Sequence, residues 1–230
     1  MFSIHPTGDL FKLALDWFVA TPCPICRRVP PLAATGGQLC EPCRQQLLLP
    51  HGGFQGIAPL PWWAAGLYAG SLRSLLLQLR RAPRLEAVSA LIRGVAADLP
   101  TGAGRLLLVP IPSWKRLANP LPTLLCRELA RQRGQRVANL LERSRPVLGQ
   151  HHLRRELRHA NQEGAFRCNR RPLPAESVRH QLLIVDDILT TGATACSAAN
   201  TLTAAGWPVA GLLCLARTPK GQPRAARAVI

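Results

Sequence analysis

The stretch Leu182-Leu183-Ile184-Val185-Asp186-Asp187-Ile188-Leu189-Thr190-Thr191-Gly192-Ala193-Thr194 decides the fold. Residues 180–185 form an apolar run with β-branched members, suited to a strand whose sheet is covered on both faces. This strand delivers two adjacent carboxylates, Asp186 and Asp187, at its carboxyl end. Thr190-Thr191-Gly192-Ala193-Thr194 then turns the chain into a helix predicted over 194–205, with Gly206 where a C-terminal stop belongs. Gly192 lets the backbone approach an anion closely. Amides at the helix start, helped by the dipole, bind phosphate, and the hydroxyls of Thr190, Thr191 and Thr194 add donors. A Walker-type nucleotide loop is excluded, because no Lys-Ser/Thr pair follows the glycine.

Two carboxylates beside a phosphate would repel it. They are therefore expected to hold something else, either the two hydroxyls of a ribose or a divalent metal. A ligand with a phosphate, a ribose with free hydroxyls and a Mg²⁺-bound diphosphate meets every requirement, and phosphoribosyl diphosphate has that composition. The plainer alternative is a strand ending in two solvated acids.

Outward from this stretch, helical and strand patterns alternate. Helices are predicted over 71–81, 85–99 and 123–133, and strands over 105–111 and 209–215. Strand, helix, strand at this spacing means a parallel crossover. The fold class is α/β, a parallel sheet flanked by helices, with ligands expected at the carboxyl ends of the strands. Ahead of it, residues 8–20 place Leu10, Phe11, Leu13, Ala14, Trp17 and Phe18 at helical spacing, and residues 50–62, rich in Pro and Gly, read as a linker. The expected division is an N-terminal part over 1–60 and a larger domain over 61–230.

Cys23-Pro24-Ile25-Cys26 and Cys40-Glu41-Pro42-Cys43 form two short hooks that present four thiolates to one tetrahedral ion. Thiolates are soft ligands, and zinc suits them. With Cys23, Cys26, Cys40 and Cys43 as ligands there is no open position, so the metal is expected to be structural. A redox motif would head a helix in a βαβ unit, which this one does not. Cys126, Cys196 and Cys214 lie on apolar faces and read as packing residues.

The chain of 230 residues is 47% hydrophobic, enough for a buried core, and carries a net charge of +17. Residues 1–60 hold +1 of this and residues 61–230 hold +16. Such a surface attracts phosphate, diphosphate or nucleic acid, with compositional drift as the bland alternative. Within 143–171, eight arginines face two acids, a balance suited to single-stranded nucleic acid, although Phe166 is the lone aromatic there. Asp9 and Asp16 interrupt the apolar start, and no run reaches about 18 uncharged apolar residues. The expectation is a cytoplasmic protein without a membrane span.

The 182–194 stretch is similar to the signature of the type I phosphoribosyltransferases. Together with the four cysteines, the Val109-Pro110-Ile111-Pro112 turn and the pattern Arg143, Arg145, Gln150, Leu153, Arg155, Arg158, Asn161, Gly164-Ala165-Phe166, it makes the whole chain resemble the ComF (competence protein F) family. That resemblance implies a phosphoribosyltransferase-like domain in which Asp186 and Asp187 contact the ribose. Residues 190–194 would cradle its phosphate, and Lys115 and Arg116, following the Val-Pro-Ile-Pro turn, are candidates for the diphosphate. It further implies zinc in the cysteine module, Mg²⁺ with the ligand, and a role in natural transformation. Single-stranded DNA would then be a partner. The cysteine module reads as a folding unit docked on the larger domain or, alternatively, as a contact surface for other DNA-uptake proteins. The Arg-Gly-Phe-Asn-Gln string usual after that turn in the family is absent; Ser113 to Pro122 stands in its place. Transfer to an acceptor and binding without turnover remain the two chemical readings.

Overall fold

The computed structural model describes residues 21–29, 37–96, 99, 105–113, 119–144, 164–171 and 180–219. The helix expected over 8–20, Lys115 and Arg116, and Arg145 to Asn161 of the arginine-rich pattern lie outside the described residues.

The elements, in chain order, are α1 (Glu41–Gln46), β1 (Phe54–Gly56), β2 (Trp62–Leu67), α2 (Gly70–Arg81), α3 (Leu85–Ala96), β3 (Arg105–Pro110), α4 (Leu121–Arg133), β4 (Arg136–Val137), β5 (Leu141–Arg143), β6 (Phe166–Cys168), β7 (His180–Val185), β8 (Ile188–Leu189), α5 (Ala193–Ala204) and β9 (Val209–Arg217). Seven strands make one sheet in the order β1-β2-β9-β7-β3-β4, with β8 beside β9. Among the described residues of this sheet only the β1–β2 pairing is antiparallel; β5 and β6 form a separate antiparallel pair. The expected α/β architecture, a mostly parallel sheet flanked by helices behind an N-terminal cluster of four cysteines, is what forms.

Side-chain periodicity explains both layers. Leu72, Leu75, Leu76 and Leu79 make one buried stripe on α2, and Val88, Leu91, Ile92 and Val95 another on α3. Along β7, Leu183 and Val185 join the apolar cluster of α2, α3 and α4, while Leu182 and Ile184 join the opposite cluster with α5 and Trp207. Helix ends follow their punctuation. Pro122 lies in the first turn of α4, and Gly134 closes it at φ +65°. At the end of α5 the Gly206 N–H donates to the Thr203 carbonyl and the Trp207 N–H to that of Leu202, a Schellman arrangement with Gly206 at φ +91°.

The stretch expected as a linker is not one throughout. It contains β1, which adds an antiparallel edge to β2 with Phe54 opposite Ala64 and Gly56 opposite Trp62. Its glycines serve close packing: a Cβ on Gly56 would collide with the Trp62 indole, and one on Gly53 with the Ala64 carbonyl. The cysteine hooks also pack inward. Cys23, Leu39, Cys43, Leu47 and Leu49 belong to the same apolar cluster as α2 and α3. Among the described residues no helix is long and apolar enough to cross a membrane.

Leu183 is fully buried at the centre of the sheet. Leu183→Ala is expected to lower unfolding free energy by about 2–5 kcal/mol, read from urea denaturation. A loss well below that range would mean that the two layers close over the missing side chain.

Candidate functional site

The carboxyl ends of β3 and β7 open into a cavity of about 450 Å³. Of the residues singled out from sequence, Asp186, Asp187, Thr190, Gly192 and Thr194 line it. Thr191 and Ala193 stand in the same turn but serve the helix: the Ala193 N–H donates to Thr191 Oγ1 at 3.3 Å. Gly192 takes φ +88° immediately before α5, and a Cβ there would run into the Pro59 ring. Glycine is thus required both by the left-handed backbone and by close packing.

The two aspartates are not equivalent. Side chains of successive strand residues point to opposite faces, and the chain leaving β7 keeps this alternation. Asp187 follows Leu183 and Val185 toward the α2 layer, where its side chain is 3% exposed. Its Oδ2 accepts from Arg80 Nε at 2.5 Å and from Asn119 Nδ2 at 2.8 Å. Asp186 lies at the base of the cavity, and its Oδ1 accepts the Asp187 N–H at 2.8 Å. Burial, and next the neighbouring Asp187 charge, push the Asp186 carboxyl up to about 8.

Several lining residues carried no such role in the sequence. Arg80 comes from α2, Tyr68 follows β2, and Asn119 precedes α4, where its Oδ1 also accepts the Leu121 N–H at 3.3 Å. Arg143, noted in the family pattern and in the arginine-rich stretch, reaches in from β5, which pairs antiparallel with β6. Its guanidinium stacks 4.3 Å from the Phe166 ring centroid, and its Nε donates to the Pro112 carbonyl at 3.1 Å. Period-two reading past Val185 would have separated the aspartates. No local signal marks Arg80, whose partner is 107 positions away.

Behind the turn lies Arg217, 6% exposed at the end of β9. Its Nη1 donates to the carbonyls of Leu189, at 3.2 Å, and Thr190, and its guanidinium sits 5.6 Å from the Trp62 ring centroid. Carbonyls tied back in this way do not point their negative ends at a guest anion. What remains facing the cavity is a donor-rich, cation-backed turn, suited to phosphate.

The second site is the cysteine cluster. The four Sγ atoms of Cys23, Cys26, Cys40 and Cys43 lie within 4.8 Å of one another, and those of Cys26 and Cys40 are 3.7 Å apart. Four sulfurs held tetrahedrally at about 2.3 Å from one ion would be about 3.8 Å apart, so the donor set fits a tetrahedral metal. Burial raises the Cys23 thiol, but the backbone amides of Cys40, Cys26 and Ile25 outweigh it and bring the group down to about 6. Burial pushes Cys40 and Cys43 up. Crowded thiols of this kind become a set of thiolates when a cation supplies the balancing charge. The cluster is tied to the start of α3, with Nη1 of Arg84, the residue before that helix, donating to the Pro24 carbonyl at 3.4 Å.

The chain is 32% identical over 213 residues to the DNA utilization protein YhgH of Escherichia coli O157:H7, covering 85% of this chain and 90% of the relative. It is 33% identical over 214 residues to the protein of that name from Shigella flexneri, covering 86% and 85%. To that of Salmonella typhimurium it is 31% identical over 227 residues, covering 85% and 96%. No family model matches the chain.

The raised Asp186 carboxyl makes a pH prediction. The folded chain holds this proton to higher pH than the unfolded chain does, so stability falls as pH climbs from about 4 toward 8. Asp186→Asn removes the titration. Urea unfolding between pH 5 and 8 is expected to show the variant gaining on the wild type as pH rises; parallel curves would contradict the assignment.

Proposed function

Because the chain belongs to the family of the DNA utilization proteins YhgH, we propose that it is a cytoplasmic protein serving the use of DNA, and that its cavity binds phosphoribosyl diphosphate with Mg²⁺. The observation that carries the ligand reading is the meeting, in one cavity, of the Thr190–Thr194 turn and the acids that close β7. Membership carries the DNA role, since the relatives are named for it.

In this reading the amides and hydroxyls of the turn hold the 5-phosphate, with Arg217 keeping the Leu189 and Thr190 carbonyls away from it. Asp186 takes the ribose hydroxyls, and its proton is given up when a cation enters the cavity. Carboxylate oxygen is a hard donor and suits Mg²⁺, which when bound neutralises charge on the diphosphate. Asp187, already engaged by Arg80 and Asn119, fixes the end of β7 rather than touching the sugar. The bond so positioned joins the anomeric carbon to diphosphate. Its cleavage passes through an oxocarbenium-like state, for which the chain supplies orientation and electrostatic stabilisation. The four-cysteine cluster holds zinc as a structural ion and a docking place for other DNA-uptake proteins. Single-stranded DNA as a direct partner is supported by the excess of arginine over 143–171.

Two experiments test this. Phosphoribosyl diphosphate with Mg²⁺ is expected to raise Tm in a saturable way, by about 3 kcal/mol of stabilisation at a hundredfold excess over Kd. Asp186→Ala should abolish the shift, and no shift in the wild type overturns the ligand reading. Diphosphate release on adding candidate acceptors then separates transfer from binding without turnover. For the cluster, elemental analysis is expected to find one bound zinc ion per chain, lost with local order in Cys40→Ser. A chain that stays folded and unchanged under a chelator removes the zinc assignment.

A further inference from the structure

We propose that Arg80 recognises the diphosphate group of the ligand, presenting its two terminal amino groups to the cavity while its Nε anchors Asp187. This deepens the phosphoribosyl diphosphate reading and rests on it. Arginine carries five N–H donors, and a guanidinium serving a carboxylate alone usually meets it side-on with two parallel bonds. Here the pairing is through Nε to a single oxygen, Oδ2, which Asn119 also engages. Among the described residues Nη1 and Nη2 make no hydrogen bond, so four N–H groups remain beside a cavity that Arg80 lines. The pair is also lopsided in access: the Asp187 side chain is 3% exposed, that of Arg80 29%. The acid is sealed in and the cation is on the open side.

Position supports the same role. The phosphate turn leads into α5, whose Ala195, Ala198 and Leu202 belong to one apolar cluster; α2, which carries Arg80, belongs to the cluster on the other face of the sheet. A guest reaching from the turn to Arg80 crosses the strand ends, where Asp186 lies. It must therefore carry an anionic group at each end and hydroxyls between. The other arginine lining the cavity among the described residues, Arg143, is engaged by Phe166 and the Pro112 carbonyl. The planar fork of Arg80 matches phosphate oxygens in a way that a lysine point charge does not.

The test compares phosphoribosyl diphosphate with ribose 5-phosphate, each with Mg²⁺, by calorimetry on the full chain. Arg80→Lys keeps a cation beside Asp187 and removes the fork. It is expected to weaken phosphoribosyl diphosphate about 10–100-fold, as loss of charge-assisted hydrogen bonds does, and to leave ribose 5-phosphate within about twofold. Asn119→Ala loosens Asp187 but keeps the Arg80 fork, so it is expected to weaken both ligands together and leave the ratio of the two affinities unchanged. Equal weakening of both ligands by Arg80→Lys, an unaltered phosphoribosyl diphosphate affinity, or the same ratio change from Asn119→Ala each overturn the role of Arg80 alone. A wild type that binds neither ligand overturns the parent reading and this one with it. Should Arg80→Lys not fold, phenylglyoxal labelling of the wild type decides: diphosphate must slow modification of Arg80, and ribose 5-phosphate must not.

Discussion

The ion pair between Arg80 and Asp187 is the constraint around which the cavity is organised. An ionised carboxylate that is 2% exposed costs several kcal/mol to bury unless it is paired and hydrogen-bonded. Asp187 satisfies this by drawing one side chain from α2 and one from the residue before α4, both onto Oδ2. Three segments distant in sequence therefore have to converge at the end of β7. Such a pair contributes little net stability over an apolar replacement of the same shape, and breaking it from one side is costly. Its effect is on orientation: with Asp187 fixed toward α2, Asp186 turns to the opposite side, and the two acids line the cavity from different faces of the sheet.

From that follows the unequal chemistry of two neighbouring carboxylates. Asp187 has a guanidinium 2.5 Å away. Asp186 has burial and its neighbour's negative charge acting on it, and both favour the proton. Adjacent acids whose environments differ this much are suited to different tasks: Asp187 holds the scaffold, and Asp186 is the one left for the guest in the function proposed above. The strand's period of two is sufficient to cause it. The same alternation that sends Leu183 and Val185 to one layer and Ile184 to the other continues for two residues past the strand.

How much of this the sequence discloses depends on the range of the interaction responsible. Elements built from local pattern are plain: the leucine stripe of α2, the unbroken apolar run of β7, glycine after α4 and after α5, and the paired cysteine hooks. Residues 50–67 are less so. Their proline and glycine content imitates a linker, yet Gly53 and Gly56 are there because another backbone and an indole pass within contact distance. Trp62–Leu67 lacks polar alternation because both its faces are covered: Trp63 and Ala65 pack into one apolar cluster, Trp62 and Ala64 into the other. In the site, the phosphate turn and its acids are legible because they are contiguous. Arg80, Asn119 and Arg143 reach the cavity from three other elements, and nothing beside them in the chain marks the destination.

The net charge of +17 would not by itself account for the anion binding proposed for this site. Among the described residues, the charged side chains lining the cavity are Arg80 and Arg143 against Asp186 and Asp187, an even balance if every group is ionised. With Asp187 matched by Arg80 and the Asp186 carboxyl pushed up to about 8, the balance among these four tips to positive through Arg143. In the proposed function, selectivity for a phosphorylated guest would then come from directed donors: backbone amides at the start of α5, threonine hydroxyls, and guanidinium N–H groups not consumed by the fold. Directed donors distinguish a phosphate at a defined place from polyanions in general, while a diffuse basic surface does not. The cavity and the basic exterior therefore answer to different physics, and only the exterior should respond steeply to salt.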